Sequence, residues 1–330
     1  MTRRSPSSYT PSAELISALP DVSGNLINGL GEREQRRASP MFWHPPDQHP
    51  FGAVQEIASA SCRATQVARD AFAGAYEYPA LIPVAKRKGR QSDKTWTEAA
   101  TEFAFAHEAD LFGATSIKDH YIVDGYDVAE PNVILLGMAH DWERLRQVPS
   151  TPDNGVGVAE IGRQYARGTR ASYALANWIR AQGFAAQPYP GPRADALLLV
   201  PAAIDAGLGE LGKHGSIINR TYGSNFRLAA VTTDMPLDLY CADSFGADLF
   251  CANCQVCSDA CPPDAIMSAK QWVRGVERWY VDFDKCIPYF AENASCGVCI
   301  AVCPWSRPGV ADRLLVKLAR REPKPRPSGA

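Results

Sequence analysis

A mixed α/β (α+β) core followed by a compact cysteine-rich module is the fold this sequence predicts, on three observations. Short unbroken apolar runs alternate with longer stretches of helical period. At 330 residues and 46% hydrophobic content the chain can bury a full core. Eight of its ten cysteines fall between Cys251 and Cys303, so the module is the minority of the molecule. The net charge of -2, with both signs dispersed, leaves no electrostatic footprint for nucleic acid or an anionic membrane. No apolar run reaches the length of a membrane span. Arg3-Arg4 opens like a twin-arginine export signal, but Ser5-Pro6-Ser7-Ser8 is polar where an apolar stretch is required, and the chain is expected in the cytoplasm.

Residues 1–60 are rich in Ser, Pro and Arg and culminate in Met41-Phe42-Trp43-His44-Pro45-Pro46. The prolines exclude a continuous helix, leaving a loose arm or a cover that packs aromatic rings over something. A domain is expected over 61–240. Helical period runs from Ala53 to Phe72 and again from Thr95 to Leu111, with Phe103 and His107 on one face and His107 partly buried. The run Pro131-Asn-Val-Ile-Leu-Leu-Gly-Met suits a buried strand. Val158 to Gln182 reads as one long helix closed by Gly183. Four glycines, Gly207, Gly209, Gly212 and Gly215, then fall within nine residues and enclose Lys213 and His214. Such density either lets backbone amides approach a ligand or makes a tight turn, and the spacing fits neither a dinucleotide fingerprint nor a phosphate loop. After a turn at 223–225, Arg227 to Thr233 is strand-like. The module occupies 241–310 and a tail 311–330, Pro-, Lys- and Arg-rich from Glu322 and expected to be disordered.

The module carries the chemistry. It reads Cys251-Ala-Asn-Cys254-Gln-Val-Cys257-Ser-Asp-Ala-Cys261-Pro262, then Cys286, then Cys296-Gly-Val-Cys299-Ile-Ala-Val-Cys303-Pro304. A C-x2-C-x2-C loop offers three thiolates to three corners of an iron-sulfur cube, and in two-cluster ferredoxins of the bacterial type the fourth cysteine of each run serves the other cluster. Cys251, Cys254 and Cys257 are therefore paired with Cys303, and Cys296, Cys299 and Cys286 with Cys261, giving two 4Fe-4S clusters and one-electron chemistry. Disulfides would suit a small secreted chain, and structural zinc wants two close pairs of ligands. Nine residues separate Cys286 from Cys296, longer than the compact form. Cys62 and Cys241 are expected to be buried small apolar residues.

The order of a helix with Thr169 and Tyr173, the segment Val200-Pro-Ala-Ala-Ile-Asp-Ala-Gly-Leu-Gly-Glu-Leu-Gly-Lys213, the segment Tyr222-Gly-Ser-Asn-Phe-Arg-Leu-Ala-Ala-Val-Thr-Thr-Asp234 and then the two cysteine motifs resembles the reductive dehalogenases, over roughly residues 130–310. The resemblance implies a nitroreductase-like domain holding a base-off cobalamin, with the ferredoxin module packed against it. It implies a small halogenated organic substrate and an external electron donor such as a ferredoxin, flavodoxin or reductase. The family pairs a tyrosine, one helical turn after a Ser or Thr, with a downstream cation. Thr169, Tyr173 and Arg227 fit that pattern, with Lys213 as the fallback cation. Tyr173 would donate the proton that replaces the halide, and Arg227 would favour the phenolate left behind. The glycine run, Lys213 and His214 would contact the cofactor, His214 as a phosphate or tail contact at most, and Trp43 and Trp305 would line an aromatic substrate pocket.

Plainer readings stand beside these. A helical tyrosine is usually packing, Arg227 could be a strand residue paired with Asp195 or Glu210, and tryptophans are usually core. The rival functions are an epoxyqueuosine reductase, expected to show an acidic proton donor and a basic RNA face, and a plain iron-sulfur carrier or corrinoid activator that holds no cobalamin. Respiratory dehalogenases carry a leader and a membrane anchor; neither is visible here, and a soluble, catabolic version is expected.

Overall fold

The structure is a computed structural model and describes residues 9–319. Arg3-Arg4 and the tail from Glu322 lie outside these residues. The arm contains α1 (Ala13–Ala18) and α2 (Gly24–Ile27), each started by a serine whose hydroxyl accepts the backbone N–H three residues on. The helical stretch expected from Ala53 to Phe72 is two helices, α3 (Gly52–Cys62) and α4 (Gln66–Ala73). The break falls where Thr65 caps a fresh start by accepting from the Ala68 N–H. The next helix, α5 (Asp93–Ala106), stops short of Leu111, which begins β1 (Leu111–Ser116). His107 caps α5 and is exposed, its ring stacked on Phe103 at 3.8 Å.

The expected strand is β2 (Asn132–Ala139), followed by the single-turn α6 (Trp142–Leu145) and the long α7 (Val156–Ala181). Gly183 ends the helical path at φ +90°, a conformation in which a side chain would be strained. The strands β3 (Ala186–Tyr189) and β6 (Phe226–Thr233) flank α8 (Leu199–Asp205) and a hairpin of β4 (Glu210–Leu211) and β5 (Ile217–Ile218). The sheet runs β1-β2-β6-β3 with every neighbour antiparallel, so this is the α+β form rather than a parallel βαβ repeat. Strand alternation sends Ile134, Leu136 and Met138 of β2 to the α5 and α7 side, and Val133 and Leu135 to the α8 side. Each such fully buried aliphatic contributes about 1.5–3 kcal/mol. Helix α7 touches the sheet at Gly168, where a Cβ would stand 2.8 Å from Met138 Cε and 3.4 Å from Ala229 Cβ.

The cysteine module comprises α9 (Ala247–Asn253), α10 (Val256–Ala260), a hairpin of β7 (Gln271–Val273) and β8 (Val276–Arg278), α11 (Phe283–Glu292), α12 (Val298–Ala301) and α13 (Ala311–Ala319). The arm is a cover seated on this module. Leu15, Met41, Phe51 and Val54 pack with Ile287 and Ala291 of α11. The Gly24 N–H donates to Asp284 at 2.7 Å, and the Tyr9 hydroxyl to Glu292 at 2.6 Å.

Candidate active site

Arm, sheet domain and module enclose a cavity of about 610 Å³. Its wall includes Cys261, Cys286, Cys296 and Cys299 from the module, Phe42 and Trp43 from the arm, and Tyr165 and Arg227 from α7 and β6. A recess of about 350 Å³ shares Trp43, Tyr165 and Arg227 with it and carries Asp195. Strand parity explains the meeting of Tyr165 and Arg227. Arg227 shares a face of β6 with Ala229, which lies against Gly168, and Tyr165 is the residue of α7 one turn before Gly168. The Arg227 guanidinium lies 5.4 Å from the Tyr165 ring centre, and its buried Nε has no partner.

Behind this wall sits a buried pair. The Glu160 carboxylate, 1% exposed, accepts from the Asp141 N–H at 3.0 Å, Gln164 at 2.6 Å and Arg163 at 3.2 Å, with His140 Nδ1 at 3.5 Å. Burial works to raise its pKa, but His140, the Asp141 N–H and Gln164 together hold it below the usual carboxylate range. Burial drives His140 down to about 4, so its imidazole is neutral.

The thiols form two groups. Cys303 stands beside Cys251, Cys257 and Cys254, while Cys286 and Cys296 stand beside Cys261. Cys299 joins the second group and also neighbours Cys257, so the groups adjoin. Burial pushes the Cys251, Cys286 and Cys303 thiols up to about 12 and the Cys257 and Cys296 thiols to about 11. Thiols so placed ionise only against a strong local positive charge, which iron supplies. Among the described residues no three His, Cys, Asp or Glu side chains converge closely enough for a single metal ion. A cubane does not need that, because its thiolates stand at separate corners.

Each group has its own support. Lys213 is fully buried, and its Nζ donates to the Cys254 carbonyl at 2.9 Å while its N–H points to Cys251 Sγ at 3.5 Å. In the second group, Ala294, Ser295 and Cys296 have φ of +48°, +63° and +44°, a run that L side chains resist. Two residues of α3 hold it. Ser61 Oγ accepts from the Ala294 N–H at 2.8 Å, and Cys62 Sγ lies 2.8 Å from Ser295 Oγ.

The sequence comparisons bear on this arrangement. A 4Fe-4S dicluster domain model matches residues 250–306. A tetrachloroethene reductive dehalogenase of Desulfitobacterium hafniense is 33% identical over 189 residues, 53% of this chain and 33% of that protein. The chain is related to the reductive dehalogenases. An epoxyqueuosine reductase of Leadbetterella byssophila is 36% identical over 118 residues, 31% of this chain and 34% of that protein. Both kinds of relative are oxidoreductases. A solved catabolic reductive dehalogenase shares the fold with a TM-score of 0.65 at 21% identity, covering 83% of this chain and 40% of that one. The chain thus spans about a third of the length of the curated proteins it matches. Among its described residues no helix is long and apolar enough to cross a membrane.

Several expected residues stand elsewhere. Tyr173 lies off the cavity, stacked on Tyr78 at 5.8 Å, because eight residues of helix turn it roughly 80° from Tyr165. The Thr169 hydroxyl is spent on packing, donating to the Ala75 carbonyl at 2.8 Å and the Tyr165 carbonyl at 3.2 Å. Trp305 is core, 1% exposed between Phe245 and Phe250, whereas Trp43 does line the cavity. Of the glycine run only Gly215 lines it. A Cβ on Gly209 would meet the Ile218 carbonyl oxygen at 2.1 Å, and Gly207 and Gly212 likewise serve the turns around β4 and β5. His214 lines the cavity, but both ring nitrogens are engaged. Ser216 N–H donates to Nδ1 at 3.2 Å, which leaves Nε2 to donate to Ser224 Oγ at 3.0 Å. Cys62 is buried as expected, but Cys241 is exposed. Tyr165 lines the cavity and had no distinguishing signal in the sequence. It stands one turn before Thr169 as Tyr173 stands one turn after, and only the face of α7 that carries Ile161, Tyr165 and Gly168 distinguishes them.

Proposed function

We propose that this chain carries out cobalamin-dependent reductive dehalogenation, with Tyr165 in the role expected of Tyr173 and Arg227 as its cationic partner. One observation carries the reading: the cavity that brings Arg227 to Tyr165 has the second cysteine group in its own wall. In this reading the sheet domain is nitroreductase-like and the module holds two 4Fe-4S clusters, one on Cys251, Cys254, Cys257 and Cys303, the other on Cys261, Cys286, Cys296 and Cys299. An external ferredoxin, flavodoxin or reductase in the cytoplasm reduces the first group, and the adjacency of Cys257 and Cys299 passes the electrons inward.

Base-off cobalamin, when bound, supplies the reduced metal that breaks the carbon–halogen bond. The protein supplies the remainder. Two electrons and one proton convert C–X to C–H and release X⁻. The Tyr165 hydroxyl donates the proton, and Arg227, charged throughout, stabilises the phenolate. Phe42 and Trp43 offer an apolar wall that suits a halogenated ring. The epoxyqueuosine reductase reading expects an acidic proton donor; none of the described residues on the larger cavity's wall is Asp or Glu, and Asp195 stands in the adjoining recess.

The test is anaerobic turnover with reduced titanium or viologen and a panel of haloaromatics, scored as free halide. Tyr165→Phe is expected to keep iron and corrinoid yet lose about 10²-fold or more in kcat, while Tyr173→Phe stays near wild type. The reverse pattern returns the acid to Tyr173. Absence of any bound corrinoid after reconstitution and gel filtration leaves only a redox relay.

A further inference from the structure

The larger cavity carries three arginines, Arg63, Arg227 and Arg278, and no Asp or Glu among its described lining residues. Two of them rest on aromatic rings, Arg63 at 5.1 Å from Tyr76 and Arg227 at 5.4 Å from Tyr165. Arg278 differs. It ends β8 beside the buried Trp279 and Tyr280, and among the described residues no carboxylate or carbonyl accepts from its guanidinium. Arg274, on the same hairpin, shows what a satisfied arginine looks like there, donating to the Asn28 carbonyl of the arm. A guanidinium has five donors and no acceptor capacity of its own, and at this half-buried position on the cavity wall its donors find no partner among the described residues, which suits an anion held in the cavity. Burial depresses the Arg278 pKa, with only Tyr280 opposing it, as expected where no anion faces the cation.

On the reading of the cavity as a corrinoid site, the amide arms of the corrin are neutral, and the one anionic group of a complete corrinoid is the phosphodiester that joins it to its nucleotide. We propose that Arg278 is the binding residue for this phosphodiester, and so selects nucleotide-bearing corrinoids over those that lack the tail. A planar guanidinium pairs with two phosphate oxygens at once, which a lysine does not reproduce.

The experiment titrates cobalamin and cobinamide, which lacks the nucleotide and its phosphate, into the cluster-loaded protein and follows the corrin absorbance. Wild type is expected to favour cobalamin by about 10- to 100-fold. Arg278→Gln should bind cobalamin that much more weakly with cobinamide affinity and iron content unchanged, and Arg278→Lys should recover part of the preference. Millimolar orthophosphate should weaken cobalamin binding to wild type and leave Arg278→Gln unaffected. An intact preference in Arg278→Gln, or equal weakening of both ligands, overturns the assignment while leaving the corrinoid reading in place. Competition by orthophosphate without a preference for cobalamin makes Arg278 a site for free phosphate and also overturns it. A wild type that takes up neither corrinoid overturns the functional reading itself, together with this inference.

Discussion

The two cysteine groups are built by opposite means. The first takes Cys251, Cys254 and Cys257 from one short stretch at α9 and α10, and the buried Lys213 backs it from the glycine loop. The second reaches Cys296 only after the nine-residue excursion from Cys286, through three consecutive left-handed residues pinned by Ser61 and Cys62. The compactly spaced group largely holds itself, whereas the stretched one borrows its geometry from α3 and the arm. It is the borrowed group that stands on the cavity wall. Local strain has settled where the module meets the candidate chemistry, and the surrounding contacts over-determine it.

The sharpest way to break this comparison is to remove one thiolate from each group. Cys299→Ser is expected to cut iron from about eight to about four per chain and to abolish turnover with any reductant. Cys254→Ser should also lose about half the iron, yet keep turnover with a small chemical reductant that reaches the second group directly. Equal silence in both variants would overturn the order of the groups.

Acid should weaken both sides of the cavity at once. His140, behind the Tyr165 wall, and His214, beside the glycine loop, are each held down to about 4 by burial. Their folded pKa values lie below the unfolded value of about 6.5, so their contribution is complete above that pH and is lost as the pH falls towards 4. About 2 kcal/mol for each should be gone by pH 5. Denaturant midpoints of the loaded protein at pH 7 and pH 5 measure it, and a flat profile would contradict the neutral imidazoles.

The smallest effect separates clamp from ligand. Ser61→Ala or Cys62→Ala should cost about 1 kcal/mol each and perturb the electron-paramagnetic signature of the second cluster alone, with Cys62→Ser restoring it. A change in both signatures would make the clamp a general packing contact.

The sequence made the strand β2, the helix α7 and the module legible, because an unbroken apolar run, a long 3.6-residue period and a fixed cysteine spacing each have a local cause. The strand pairing is non-local, so apolar runs could not reveal that the sheet is antiparallel. The candidate site was legible by residue type more than by position. Arg227 and Trp43 line the cavity, but Thr169 has a tyrosine one turn to either side, and spacing along a helix carries no direction until the sheet shows which face it covers. Arg278 had no sequence signal. Its distinction is that no carboxylate or carbonyl among the described residues accepts from it, and such partners are settled only by folding.

The arm's seat on α11 has a consequence for biogenesis. Gly24 and Asp284 are 260 residues apart, so the early segment leaves the ribosome long before its docking helix exists. Closing so wide a loop is slow compared with local pairing. The roof over the cavity is therefore among the last parts to settle, and a bulky prosthetic group would have its widest doorway before the arm docks on α11.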